Sequence, residues 1–159
     1  MMRTLLLALT AVLMLAPTAS TATEDKSKSG SVRFATFNMS LNRPAAGLLV
    51  DHLSHPEVDD VFRRQARNNA EVIQRTRPDV LLINEFDFAP QAVELFRKNF
   101  LEVSQNGARP IHYRYASIAP SNTGVATGFD LNNNGAIVTT PGAPGYGDDS
   151  FGFGAFPGQ

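Results

Sequence analysis

An amphipathic helix stopped by proline and followed at once by an unbroken apolar run constrains this chain more than any other feature. Val58, Phe62, Ala66, Ala70 and Ile73 recur near the helical period, with Val61 and Asn69 beside them. Arg77-Pro78 ends the helix, because the proline ring disfavours helical geometry at the residue before it. Asp79 then leads into Val80-Leu81-Leu82-Ile83, a run typical of a strand buried on both faces. Upstream, Val32 to Met39 (Val-Arg-Phe-Ala-Thr-Phe-Asn-Met) is rich in β-branched and aromatic residues and reads as a strand. Strand, helix, buried strand is the grammar of a βαβ unit or of its relative in a mixed, layered α/β sheet.

The flanking segments extend that grammar. Asn42-Arg43-Pro44 closes the first strand, and Ala46 to Leu53 predicts a short helix. Ser54-x-x-Glu57, with Pro56 inside the first turn, resembles a capping box opening the long helix. Pro90 to Leu101 predicts a second amphipathic helix through Ala92, Val93, Phe96 and Phe100, and Ile111 to Ile118 a third strand. After Thr123 the composition changes, with nine of the 12 glycines in residues 124–159. The last segment carries Phe151, Phe153 and Phe156 with no following element to bury them, so the expectation is a chain that stops inside a domain.

At the other end, Met1-Met2-Arg3 is a short positive start, Leu5 to Ala16 is almost unbroken apolar sequence, and Pro17 leads into small residues up to Ala22. That order predicts a secretory signal peptide over 1–22, and the apolar run is too short to span a bilayer comfortably. Residues 23–31 are polar and aperiodic and predict a disordered leader, with the folded part from Val32. The expected mature protein is exported (secreted, or periplasmic or extracellular), holds no stable membrane span and acts as a monomer. With no Cys, disulfides, Cys-ligated zinc, iron–sulfur clusters and thiol catalysis are excluded. A formal charge of −1 supplies no basic excess for gripping a polyanion over a broad surface.

Two strand ends carry the sharpest chemistry. Asn38 falls at the end of the first strand and Glu85 at the end of the second, and neighbouring strand ends in sheet-and-helix folds form one crevice where ligands bind. A carboxylate there suits a hard cation, since Mg²⁺ prefers a few carboxylate oxygens plus substrate phosphate. The spacing serves equally a Glu85 that caps a turn and an Asn38 that bonds a loop. Asp130-Leu131-Asn132-Asn133-Asn134-Gly135 has oxygen side chains at alternate positions and Gly at the turn, like the start of a Ca²⁺ loop. Pro141 stands where an EF-hand would carry Glu; Asp148-Asp149 would complete a different site, and a plain Asn-Gly turn is the other reading. Arg63, Arg64, Arg67, Arg75 and Arg77 read as a solvated helix face, mixed with Glu57, Asp59, Asp60 and Glu71.

Phe37-Asn38 closing a strand, Ile73-Gln74-Arg75-x-Arg77-Pro78-Asp79 closing a helix and an apolar strand running into Asn84-Glu85 together resemble the endonuclease/exonuclease/phosphatase superfamily. Leu82-Ile83-Asn84-Glu85-Phe86-Asp87, and later Asn122-Thr123-Gly124 through Phe129-Asp130-Leu131 to Phe151-Gly152-Phe153-Gly154, look like a secreted branch of it. The resemblance covers Val32 to Gln159 and implies the N-terminal part of a four-layered α/β sandwich, here truncated. It implies a divalent-metal-dependent phosphoester hydrolase acting on nucleic acid, a phospholipid or a small phosphate ester. Glu85 matches the ligand of Mg²⁺ (or Mn²⁺), and Asn38 matches the catalytic Asn beside the metal and the scissile phosphate.

Ser40 stands where many members carry Asp or Asn, which puts a second anchor in that strand in question, and Asn84 stands where Gln is common. The family's His–Asp pair has no counterpart here, since His52, His55 and His112 all fall too early and read as exposed or strand-lying residues. The fragment alone is therefore expected to have little or no activity. A different class remains open: a non-catalytic secreted binding or surface module using Asp130, Asn132 and Asn134 as a Ca²⁺-binding loop.

Overall fold

In the computed structural model, residues 30–159 are described; the signal peptide expected over 1–22 and residues 23–29 of the expected leader lie outside them. Strand β1 (Phe34–Leu41) is followed by helices α1 (Leu48–Ser54) and α2 (Val61–Thr76), strand β2 (Val80–Phe86) and helix α3 (Pro90–Phe96). β1 and β2 pair in parallel, from Phe34 opposite Val80 to Asn38 opposite Asn84. The described chain is thus a mixed α/β unit built on a two-stranded parallel sheet with three helices. None of its helices is long and apolar enough to cross a membrane.

The helical period places the core in part: of the expected face, Val58 lies before the helix and is exposed, as is Phe62, while the last three positions are buried. Ala66, Ala70 and Ile73 of α2 and Ala92 and Phe96 of α3 are buried against Met39 and Leu41 of β1. The second amphipathic helix continues as a wider π turn, Arg97–Leu101, which buries Phe100 and Leu101. Phe96 lies between Phe86 and Phe100, with ring centroids 6.2 and 5.9 Å apart. At the end of α2, Arg77 adopts a left-handed conformation, φ 50°, and its N–H bonds the Ile73 carbonyl. Pro78 therefore stops the helix where the sequence places the stop.

Three expectations fail for identifiable reasons. The long helix opens at Asp60, whose carboxylate accepts the Arg63 N–H at 2.8 Å, and not through a Ser54 capping box. Ser54 instead ends α1, its hydroxyl donating to the Val50 carbonyl. β2 is buried on one face only: Leu81 and Ile83 pack on the core, whereas Leu82 is 62% exposed, as is Phe34 beside it at 72%. Ile111 to Ile118 forms no strand. It runs past the outer edge of β2, held by the Tyr113 hydroxyl on the Pro78 carbonyl and by Arg97 on the Tyr113 carbonyl. Between that segment, β2 and α3 lies an apolar groove of about 940 Å³ whose walls include Leu82, Phe88, Phe96 and Tyr115.

The glycine-rich segment lacks long elements but is tied down by its own bonds. Ala126 and Ser150 form an antiparallel bridge, and the Tyr146 hydroxyl donates to the Gly124 carbonyl at 2.6 Å. Gly124 is needed at φ 72°, because a Cβ there would lie 1.8 Å from the Phe156 carbonyl oxygen.

Candidate functional site

The two strand ends singled out in the sequence meet. The Asn38 amide donates to one Glu85 carboxylate oxygen at 2.6 Å, and the Ser40 hydroxyl donates to the other at 3.2 Å. Asn38 Oδ1 in turn accepts the Ser40 N–H at 3.0 Å. Ser40 thus joins the site although it replaces the acidic or amide residue expected there. Asn84, Asn38's partner in the register, donates to the Thr36 hydroxyl at 3.0 Å and extends the polar patch along the exposed face.

Strict alternation would place Glu85 with Leu81 and Ile83, facing the helices. The backbone prevents this. Glu85 has φ 55° and Ser40 φ 48°, and the register slips between Asn38 and Leu41, so two residues of β1, Met39 and Ser40, oppose one of β2, Glu85. Such a bulge bends and re-aims the strand. Glu85 turns to the exposed face and Phe86 turns inward to the core. Left-handed geometry at a non-glycine residue costs on the order of 1–3 kcal/mol, so it persists only where the surroundings hold it.

Beneath this end of the sheet lies a buried polar cluster that the sequence reading missed. Arg43 is 2% exposed; its Nε donates to His52 Nδ1 at 3.0 Å, and its Nη1 donates to the Ser40 carbonyl at 3.2 Å. The guanidinium lies 4.9 Å from the centre of the Phe62 ring, on which His52 also stacks. The Arg43 N–H bonds both oxygens of the buried Asp87 carboxylate. Burial pushes the Asp87 carboxyl up to about 6, against the opposing pull of the Arg43 N–H and charge. Burial, with the charges of Arg43 and Arg63, holds the His52 imidazole below its ordinary range. His52 is therefore a buried neutral ring and neither exposed nor in a strand. The one sequence signal for the cluster is Arg43 directly before Pro44, at a strand end followed by a short helix.

The remaining candidates lie elsewhere. Asp130 accepts the N–H groups of Asn134 and Gly135, Asn132 Oδ1 that of Asn134, and Asn134 Oδ1 that of Ala136. Their oxygens already serve backbone donors, which a Ca²⁺ ion would have to compete with. Asp149 is buried and accepts the N–H groups of Leu131 and Val138, while Asp148 is exposed. Among the described residues, no three acidic or His side chains cluster as a metal-holding group. Of the helix arginines, Arg63 is buried and paired with Asp60 and Asp51 instead of solvated, Arg64 and Arg67 pair with Asp59, and Arg75 pairs with Glu71. No protein-family model, no curated protein and no solved structure matches the chain.

Proposed function

We propose that this chain carries the metal-binding strand ends of an exported, divalent-metal-dependent phosphoester hydrolase. The observation that carries the reading is the meeting of Asn38, Ser40 and Glu85 on an exposed sheet end, at the price of two left-handed residues. The donor set is of the hard-oxygen kind that Mg²⁺ or Mn²⁺ takes: one exposed carboxylate with a hydroxyl beside it and an amide oxygen that an ion would share with the Ser40 N–H. Glu85 would hold the ion, and Asn38 would orient that carboxylate and reach the phosphate with its amide. The ion supplies Lewis-acid polarisation of a phosphoryl oxygen and stabilisation of the leaving group.

The three His side chains in the described residues are engaged elsewhere: His52 on Arg43, His55 against Glu57 and His112 against Glu102. None is placed to activate water at Glu85, so these residues by themselves turn over phosphoesters weakly or not at all. Nucleic acid, a phospholipid and a small phosphate ester all remain substrates of this reading.

The test is Mn²⁺ titration by calorimetry, with hydrolysis of bis(p-nitrophenyl) phosphate followed in the longest protein that carries this segment. Glu85→Ala should abolish both Mn²⁺ binding and Mg²⁺-dependent hydrolysis while the circular dichroism spectrum is retained. Unchanged binding in that variant sinks the assignment.

A further inference from the structure

We infer that Arg43 and Gln65 are positioning residues of the Glu85 site, holding the left-handed backbone at Ser40 that aims the Ser40 hydroxyl at the carboxylate. The inference deepens the reading above, since the site being positioned is Glu85's. It begins from a contradiction in the energetics. A guanidinium almost fully removed from water is costly unless its hydrogen bonds are satisfied, and apolar packing would stabilise the same space as well or better. Arg43 nonetheless stays buried with its Nη2 unpartnered, and directs Nη1 to backbone at the strand end, the Ser40 and Asn42 carbonyls, while His52 fixes Nε.

The Ser40 carbonyl receives a second bond, from Gln65 Nε2 of α2 at 2.8 Å. Asn69, one turn further along α2, bonds the Met39 carbonyl at 2.8 Å. One helix, α2, and a buried cation therefore grip the main chain at Met39 and Ser40, with α1 joining only through His52 on that cation. That grip holds Ser40 at φ 48°, where its N–H reaches Asn38 Oδ1 and its hydroxyl reaches Glu85 Oε2. The same Arg43 is fastened to the far end of β2 through its own N–H on Asp87, so both partners of the bulge are referred to one anchor. Groups that orient a metal ligand from behind typically change metal affinity 10–100-fold when removed.

The experiment uses the full chain labelled with ¹⁵N and ¹³C, as wild type, Arg43→Met, Arg43→Lys, Gln65→Met and Glu85→Gln. The HN–Hα coupling and carbon shifts of Ser40 report its left-handed geometry, and the Asn38 side-chain amide shift reports the bond to Glu85. Mn²⁺ affinity is read by calorimetry. In Arg43→Met the Ser40 signature is expected to move to the ordinary right-handed or extended region and Mn²⁺ affinity to fall about 10-fold. Gln65→Met should show the same change in smaller degree. Arg43→Lys should not rescue, because an ammonium lacks the planar fork that reaches His52 and Ser40 together.

Wild-type Ser40 and Asn38 signals in folded Arg43→Met and Gln65→Met, with only the melting temperature lowered, would overturn the inference and leave Arg43 a packing residue. Should Arg43→Met not fold, Gln65→Met decides alone, since Gln65 lies outside the buried core. Wild type that takes up no Mn²⁺, or Glu85→Gln that binds it equally well, overturns the functional reading instead; the Ser40 signature then judges the positioning role independently.

Discussion

Arg43 Nε donates to His52 Nδ1 at 3.0 Å, inside a stack that also contains Phe62. The bond requires an unprotonated Nδ1, and burial lowers the His52 pKa from its ordinary 6.5. The unfolded chain therefore binds a proton at His52 over a range in which the folded chain does not. Its contribution to stability is complete above about pH 6.5 and is lost as pH falls through the lower folded value. Asp87 acts with the opposite sign: its raised carboxyl favours the folded state at low pH, and that share is lost as pH rises through about 6. Subtracting His52→Gln from wild type isolates the imidazole. In urea unfolding between pH 4.5 and 7.5, the wild-type advantage should grow with pH and level off above about 6.5; a difference that shrinks with rising pH would contradict the buried neutral ring.

Two neighbours in β2 separate the sheet's faces. Ile83 packs on the core and Leu82 stands in solvent. Ile83→Ala should cost about 2 kcal/mol or more in lost burial and cavity, whereas Leu82→Ala should stay within about 0.5 kcal/mol. Equal, large losses in equilibrium unfolding would mean that both faces are covered in solution, as the apolar run alone suggests.

Gln74 is buried at the heart of the helical layer. Its amide donates to the carbonyls of Phe100, Leu101 and Val103, and its oxygen accepts the Gln105 N–H. It thereby closes the π turn that α2 packs against. Gln74→Leu keeps the volume but strands those groups, and should cost ~2–4 kcal/mol. Amide exchange should rise first at Gln105, whose N–H loses its partner; protection unchanged there would show that the turn is held by packing alone.

The parts of this fold readable from the residues are those set by local rules. The α2 period from Ala66 to Ile73 and the Pro78 stop depend on interactions within a turn or two and stand where the pattern puts them, and the first strand forms two residues later than its composition places it, at Phe34–Leu41. The strand ends at Asn38 and Glu85 were readable as positions for the same reason. Their meeting was not. Alternation from Leu81 and Ile83 points Glu85 at the helices, and only the bulge and two left-handed residues turn it outward.

The order Ile83, Asn84, Glu85, Phe86 does carry a trace of that break, in-out-out-in, but a short run cannot show which strand is bulged. Asp60 outcompeted Ser54 as the helix cap because the short helix before it took Ser54 into its own last turn. Ile111 to Ile118 has strand composition yet forms no ladder with β2 and is fastened instead by single bonds, the Tyr113 hydroxyl on the Pro78 carbonyl and Arg97 on the Tyr113 carbonyl. The burial of Arg43 lies furthest beyond the sequence. Its surroundings come from α1, α2 and both strand ends, and no local pattern can announce a charge whose partners are assembled only by the tertiary fold.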